Sequence, residues 1–114
     1  MHELSIAMGI VEAAVDEAKQ RNVQVSAVHL RLGALSGVVK DALLFSYEVA
    51  CQDTPLAGSR LVIEEVPVAV FCPHCKERRV LDSVQSFVCP ECGAPAGAVL
   101  QGRELEVVAL EVEE

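Results

Sequence analysis

The sequence has no tryptophan, one tyrosine and three phenylalanines in 114 residues. So few aromatic rings leave little to stack on nucleobases. Cations are also scarce: nine lysines and arginines stand against seventeen aspartates and glutamates, for a formal charge of −8. Such a chain has no bulk attraction for a phosphate backbone, and nucleic-acid binding is not expected. No apolar run approaches the roughly 18–20 residues of a membrane span. The opening residues show neither the basic segment nor the cleavage pattern of a signal peptide. A cytoplasmic protein without a membrane partner is expected. What is abundant is apolar side chain, at 52% of the residues. That suffices for one core, or for one domain with a small insertion.

Leu4 to Arg21 reads as a helix, with Leu4, Ala7, Met8, Val11, Ala14, Val15 and Ala18 at three- and four-residue steps and Ser5 placed to cap its start. Val28, Leu30 and Leu32 then alternate with His29 and Arg31, the period of a half-buried strand. Gly33 to Gly37 reads as a turn. Val39 to Cys51 reads as a second helix with Leu44, Tyr47 and Cys51 on one stripe, and Arg60 to Val66 as a second strand. Residues 67–103 change character: they hold four of the five prolines and four of the five cysteines, without helical period. Strand composition returns at Glu104 to Glu113. The expected fold is α+β: two helices on a small three-stranded mixed sheet, with an inserted four-cysteine zinc ribbon. Residues 1–66 and 104–114 would form the main domain and 67–103 the insertion, jointed at Pro67 and Gly102.

Cys72-Pro73-His74-Cys75 and Cys89-Pro90-Glu91-Cys92 are two C-P-x-C pairs separated by thirteen residues. Two residues between cysteines let both sulfurs point at one ion from a tight turn, and proline presets φ for that turn. Two such turns facing each other give the tetrahedral sulfur cage that zinc prefers. The spacer suits a short hairpin against which Val80, Leu81, Phe87 and Val88 would pack. Iron in a four-sulfur site has similar spacing, whereas a redox C-x-x-C usually needs only one pair. Four thiolates leave no open coordination position, so a zinc held here is structural. The ribbon carries four cations against three anions. A tetrathiolate zinc adds two negative charges, so there is no basic patch for nucleic acid. His74 reads as an exposed turn residue, Cys51 as a buried small hydrophobe, and His29 and Glu65 as solvated side chains. No nucleophile is paired with a base in a recognisable spacing, so an enzyme is not expected.

A histidine at position 2 is ordinarily just a solvated side chain. With a free α-amine and nearby amides, however, an imidazole can chelate an ion in a planar nitrogen set, which suits Ni(II) or Cu(II) and suits zinc poorly. The first amides of a helix have no intrahelical acceptor and are free to lose a proton to a metal.

Met1-His2-Glu3, Leu32-Gly33 with Leu35-Ser36, Leu44-Phe45, Tyr47-Glu48, Gly58, Ile63-Glu64, Pro67 and the two cysteine pairs together resemble the HypA/HybF hydrogenase maturation family over essentially the whole chain. The resemblance implies a nickel metallochaperone for nickel–iron hydrogenase. It implies a nickel site made by the Met1 amine, His2 with its amide and ring, and the amide or carboxylate of Glu3. It places zinc on Cys72, Cys75, Cys89 and Cys92. The partners it implies are a GTPase of the HypB type and the hydrogenase large-subunit precursor; some members also serve urease maturation. Glu64 matches the family and is a candidate partner contact. Several members carry a histidine just after the second pair, where this chain has Gly93, so that histidine's role does not carry over. A monomer is expected. The competing reading is a zinc-ribbon adaptor or interaction module with no nickel role, in which residues 1–3 are replaceable.

Overall fold

The computed structural model describes residues 2–114. The elements are α1 (Glu3–Arg21), β1 (Gln24–Gly33), α2 (Lys40–Cys51), β2 (Arg60–Val66), β3 (Ala69–Cys72), β4 (Glu77–Val80), β5 (Val99–Gln101) and β6 (Leu105–Glu113). They fall into two compact units. The first comprises residues 2–31, Gly37–Glu64 and Glu106–Glu114; the second comprises Leu32–Ser36 and Glu65–Leu105.

In the first unit, α1 buries Ala7, Ile10, Val11, Ala14 and Ala18. The buried stripe is displaced from the expected one: Ile10 joins it, while Leu4 and Met8 remain 45% and 56% exposed. Ser5 does not cap the helix. His2 is the N-cap, with φ −90° and ψ 103°, and its carbonyl accepts the Ile6 N–H at 3.3 Å. The helix starts two residues before Ser5, which places that side chain inside the first turn. At the other end Asn22 takes a left-handed conformation (φ 53°) and its N–H reaches the Ala18 and Lys19 carbonyls. Asparagine is one of the few residues that tolerates this cap. Helix α2 buries Leu43, Tyr47 and Cys51, spaced four apart on one face. Leu44 packs against the core from a partly buried position.

The first sheet has the order β2–β1–β6. Arg31 meets Glu64, and three residues on the Ala34 N–H donates to the Val66 carbonyl. The two strands advance together and are parallel, with α2 as their crossover. Ser26 meets Glu111 whereas Gly33 meets Glu104, so β6 runs antiparallel to β1. The sheet is mixed, as expected. Val25, Val28, Leu30 and Leu61 join the helical residues in one core, with Ile63 and Leu110 packed against it. Each such large side chain contributes about 1.5–3 kcal/mol when fully buried. The alternate β1 residues carry charge. His29 pairs with Glu111, and Arg60 reaches the same carboxylate at 3.6 Å. Arg31 lies 3.1 Å from Glu64 and 3.6 Å from Glu106. Exposed pairs of this kind are worth at most about 1 kcal/mol each. Their consequence is mainly register, since a one-residue slip would bring them into the apolar face. Cys51 is buried, as expected, with its sulfur 3.8 Å from the Ser59 hydroxyl, which also bonds the Tyr47 hydroxyl at 2.7 Å. Burial pushes the Tyr47 phenol up to about 12, so it stays neutral.

The second unit holds a three-stranded sheet of order β4–β3–β5. Strands β3 and β4 pair antiparallel from Ala69↔Val80 to Cys72↔Glu77, and β3 pairs with β5 through Ala69↔Gln101 and Val70↔Val99. The hairpin therefore spans the first cysteine pair instead of lying within the spacer. Of the spacer residues expected to pack, only Leu81 is buried; Val80, Phe87 and Val88 are exposed. The core is small: Val68, Val70 and Leu81, with Leu35, Ala96 and Val99 partly buried against it. Residues Leu32–Ser36 are bound in by three backbone bonds, Gly33 N–H to Glu104, Ala34 N–H to Val66 and Leu35 N–H to Gly102. Gly102 has φ +122°, which glycine alone adopts without strain.

Candidate metal centre

The cluster of Val68, Val70 and Leu81 is a small core for a unit of this length. The four paired cysteines supply the remaining constraint. Cys72 ends β3 and Cys75 follows in the turn before β4. The Lys76 N–H donates to the Cys72 carbonyl at 2.7 Å, and the Cys75 N–H donates to the Cys72 sulfur at 3.3 Å. The second pair repeats the turn: the Gly93 N–H donates to the Cys89 carbonyl at 2.8 Å. In both turns the residue after the second cysteine is left-handed, Lys76 at φ 58° and Gly93 at φ 76°. Gly93 thus meets a backbone requirement, which is a physical reason for glycine at that place. His74 is exposed on the first turn.

The two turns bring the sulfurs of Cys72, Cys75, Cys89 and Cys92 within 4.8 Å of one another. The Cys72–Cys92 separation is 3.6 Å and the Cys75–Cys89 separation 3.9 Å. Four sulfurs held about 2.3 Å from a zinc ion in a tetrahedron lie about 3.8 Å apart. These distances are far beyond the roughly 2.05 Å of a disulfide, and all four cysteines are free thiols. The donor set therefore fits zinc, closed at four ligands and structural in kind. When bound, the ion supplies a cross-link between the two turns. Metal binding displaces the thiol protons. The Cys92 thiol and burial push Cys75 up to about 12. Burial also raises Cys89, but the Cys92 and Glu91 amides and the Arg79 guanidinium outweigh it and bring that thiol down to about 6. Arg79 is a residue that sequence reasoning missed: it reads there as one more surface cation of the ribbon.

Of the ligands expected for nickel, Met1 lies outside the described residues. His2 is exposed and makes no side-chain capping bond. Glu3 opens α1. Its carboxylate accepts the Val39 N–H at 3.2 Å, at the N-cap of α2. That bond, and one from its own amide, hold it below the usual carboxylate range. Among the described residues, the four cysteines form the one cluster of metal-ligating side chains. No helix among them is long and apolar enough to cross a membrane.

Fold and site together define a small α+β metal-binding protein with a tetrathiolate zinc ribbon. Residues 1–112 match the family model described as hydrogenase/urease nickel incorporation, metallochaperone, hypA. The chain belongs to this HypA family of nickel metallochaperones. A hydrogenase maturation factor HypA of Chloroflexus aurantiacus is 57% identical over 112 residues, covering 97% of this chain and 98% of that one. Another, of Desulfosudis oleivorans, is 43% identical over 116 residues and is covered in full. The solution structure of the Ni metallochaperone HypA from Helicobacter pylori superposes with a TM-score of 0.64 at 21% identity, covering 97% of each chain. A second HypA solution structure gives 0.71, also at 21% identity, covering 99% of this chain and 97% of that one. These last two likenesses are of fold.

Proposed function

We propose that this chain carries Ni(II) on its first residues and delivers it for the maturation of nickel–iron hydrogenase. The Met1 amine, the amide and ring of His2 and the amide or carboxylate of Glu3 form the ligand set. The observation that supports this reading is the position of His2 at the exposed N-cap of α1, where the first helical amides lack intrahelical acceptors. Deprotonated amides make the site anionic, and the positive end of α1 tolerates that charge. A planar nitrogen set selects nickel over zinc, and an exposed chain end lets an acceptor displace the ligands one at a time. The chain acts as a carrier and not as an enzyme. Its partners are a GTPase of the HypB type and the hydrogenase large-subunit precursor, met in the cytoplasm. Zinc on Cys72, Cys75, Cys89 and Cys92 maintains the ribbon.

The test is a nickel titration of untagged, zinc-loaded protein followed by absorption spectroscopy, with His2→Ala alongside. One equivalent of nickel with a planar d–d band is expected, lost in the variant while its zinc content and circular dichroism stay unchanged. Binding indifferent to His2 would leave the zinc-ribbon adaptor as the better reading.

A further inference from the structure

Strand β6 is an edge of the first sheet, with β1 as its one neighbour. It gives little to the core: along its nine residues only Leu110 is even partly buried. Val107, Val108 and Val112 are 44%, 52% and 46% exposed. A long apolar edge presents a row of backbone donors and acceptors on which a further strand can pair. Lysine and proline, the common guards against such pairing, are absent from residues 105–113. Beside the strand lies a groove of about 450 Å³, walled by Ile10, Ala13 and Ala14 of α1 and by Val108, Leu110 and Val112 of β6. Successive side chains of a strand point to opposite faces. A strand laid along β6 therefore sets every second side chain beside Leu110 and Val112, over the groove. The side chains between them fall beside Glu111 and Glu113.

Charge selects the occupant. Residues Glu106–Glu114 hold four carboxylates and no cation. Glu111 is engaged by His29 and Arg60, and Glu106 lies 3.6 Å from Arg31. Among the described residues no ion pair engages Glu113 or Glu114. A second copy of the chain would lay four more carboxylates along the same edge and is repelled. A strand that carries lysine or arginine between its apolar residues is attracted. We propose that the free edge of β6 docks an extended segment of a partner protein, with apolar and basic residues in alternation, which joins the sheet as a fourth strand. The proposal uses none of the residues assigned to nickel or zinc.

The test uses the zinc-loaded full chain and an acetylated, amidated peptide of alternating valine and lysine, matched to the nine residues of β6. One comparator alternates valine and glutamate; the other has the same valines and lysines in two blocks. Titration followed by ¹H–¹⁵N correlation spectra gives affinity and location, and amide hydrogen exchange reports backbone pairing. The alternating basic peptide is expected to bind, to shift β6 with Ala13 and Ala14, and to slow exchange along β6. Glu113→Lys combined with Glu114→Lys is expected to weaken it about 5- to 50-fold. Val108→Lys, which puts a charge in the groove wall, is expected to weaken it as well. Glu12→Lys with Asp16→Lys makes the same charge change at exposed α1 positions outside the groove lining. That variant is expected to stay within about twofold of wild type. No binding at millimolar peptide, equal binding of either comparator, or shifts centred away from β6 would each overturn the proposal. So would a dimer of the chain alone, in sedimentation equilibrium, whose newly protected amides are those of β6. If Val108→Lys loses its circular dichroism, the Glu113 and Glu114 pair decides: wild-type affinity there overturns the proposal.

Discussion

Replacing Gly33 by alanine tests the backbone packing of the second unit. A Cβ built on Gly33 lies 2.1 Å from the Gly102 carbonyl oxygen, 2.3 Å from its carbon and 2.6 Å from the Glu104 nitrogen. Ordinary van der Waals contact begins near 3.5 Å, so the two backbones have to separate by more than about 1 Å. The Gly33 N–H to Glu104 and Leu35 N–H to Gly102 bonds, both 2.7 Å, join the segments that must part. A buried backbone group left unpaired costs about 1–3 kcal/mol. Alanine returns about 0.4–1 kcal/mol by restricting the unfolded chain. With both bonds lost, the net loss is therefore about 1–5 kcal/mol. Gly9 supplies the control, because a Cβ there meets nothing within 4 Å. Gly9→Ala in the middle of α1 is expected to stabilise by about 0.5–1 kcal/mol. Both are read by urea denaturation in zinc-saturated buffer, with circular dichroism and the fluorescence of Tyr47, the chain's one tyrosine. A Gly33→Ala change within about 0.5 kcal/mol of wild type, alongside a stabilised Gly9→Ala, would refute the packing argument.

Two further outcomes follow from the first unit. Leu43→Ala removes a fully buried side chain from the face of α2 that packs on the core. A loss of about 2–5 kcal/mol in the same urea assay is expected. Glu111 is held below the usual carboxylate range by His29 and Arg60. A carboxylate lowered in the folded state stabilises the fold above its unfolded pKa, and the contribution is lost as pH falls through the folded value. The gap in urea midpoint between wild type and Glu111→Gln is therefore expected to be full near neutrality and to close below about pH 4. A gap that does not change between pH 7 and pH 3 would disprove the coupling.

The long elements were legible because periodicity survives over many residues. Helices α1 and α2, strands β2 and β6 and the mixed α+β plan all follow from apolar spacing. The exact stripe of α1 did not, because Leu4, Met8 and Val15 widen its apolar surface and only tertiary packing selects Ile10 instead. The α1 start was misjudged because Ser5 has the right chemistry for a cap but lies two residues inside the helix. Strands β3, β4 and β5 are three or four residues long, too short for alternation to register, and they exist where the cysteine turns hold them. The cysteine site itself was the plainest signal in the chain, since its spacing is its geometry. Arg79 left no such mark: only the β3–β4 register turns that side chain inward while its neighbours point out. The close approach of Gly33 to Gly102 joins positions far apart in sequence and has no local signature.

The pairing of Ala69 with Gln101 has a consequence for the order in which the molecule assembles. Strand β6 leaves the ribosome after all four cysteines, yet it completes a sheet begun by β1 and β2. With the ribbon unfolded, β6 has to find β1 from the far end of a long open loop. A folded ribbon clasps that loop near its base and cuts its free length roughly eightfold, which lowers the closure entropy by about 2 kcal/mol. Metal capture thus lowers the entropic cost of closing a sheet that contains none of the metal's ligands.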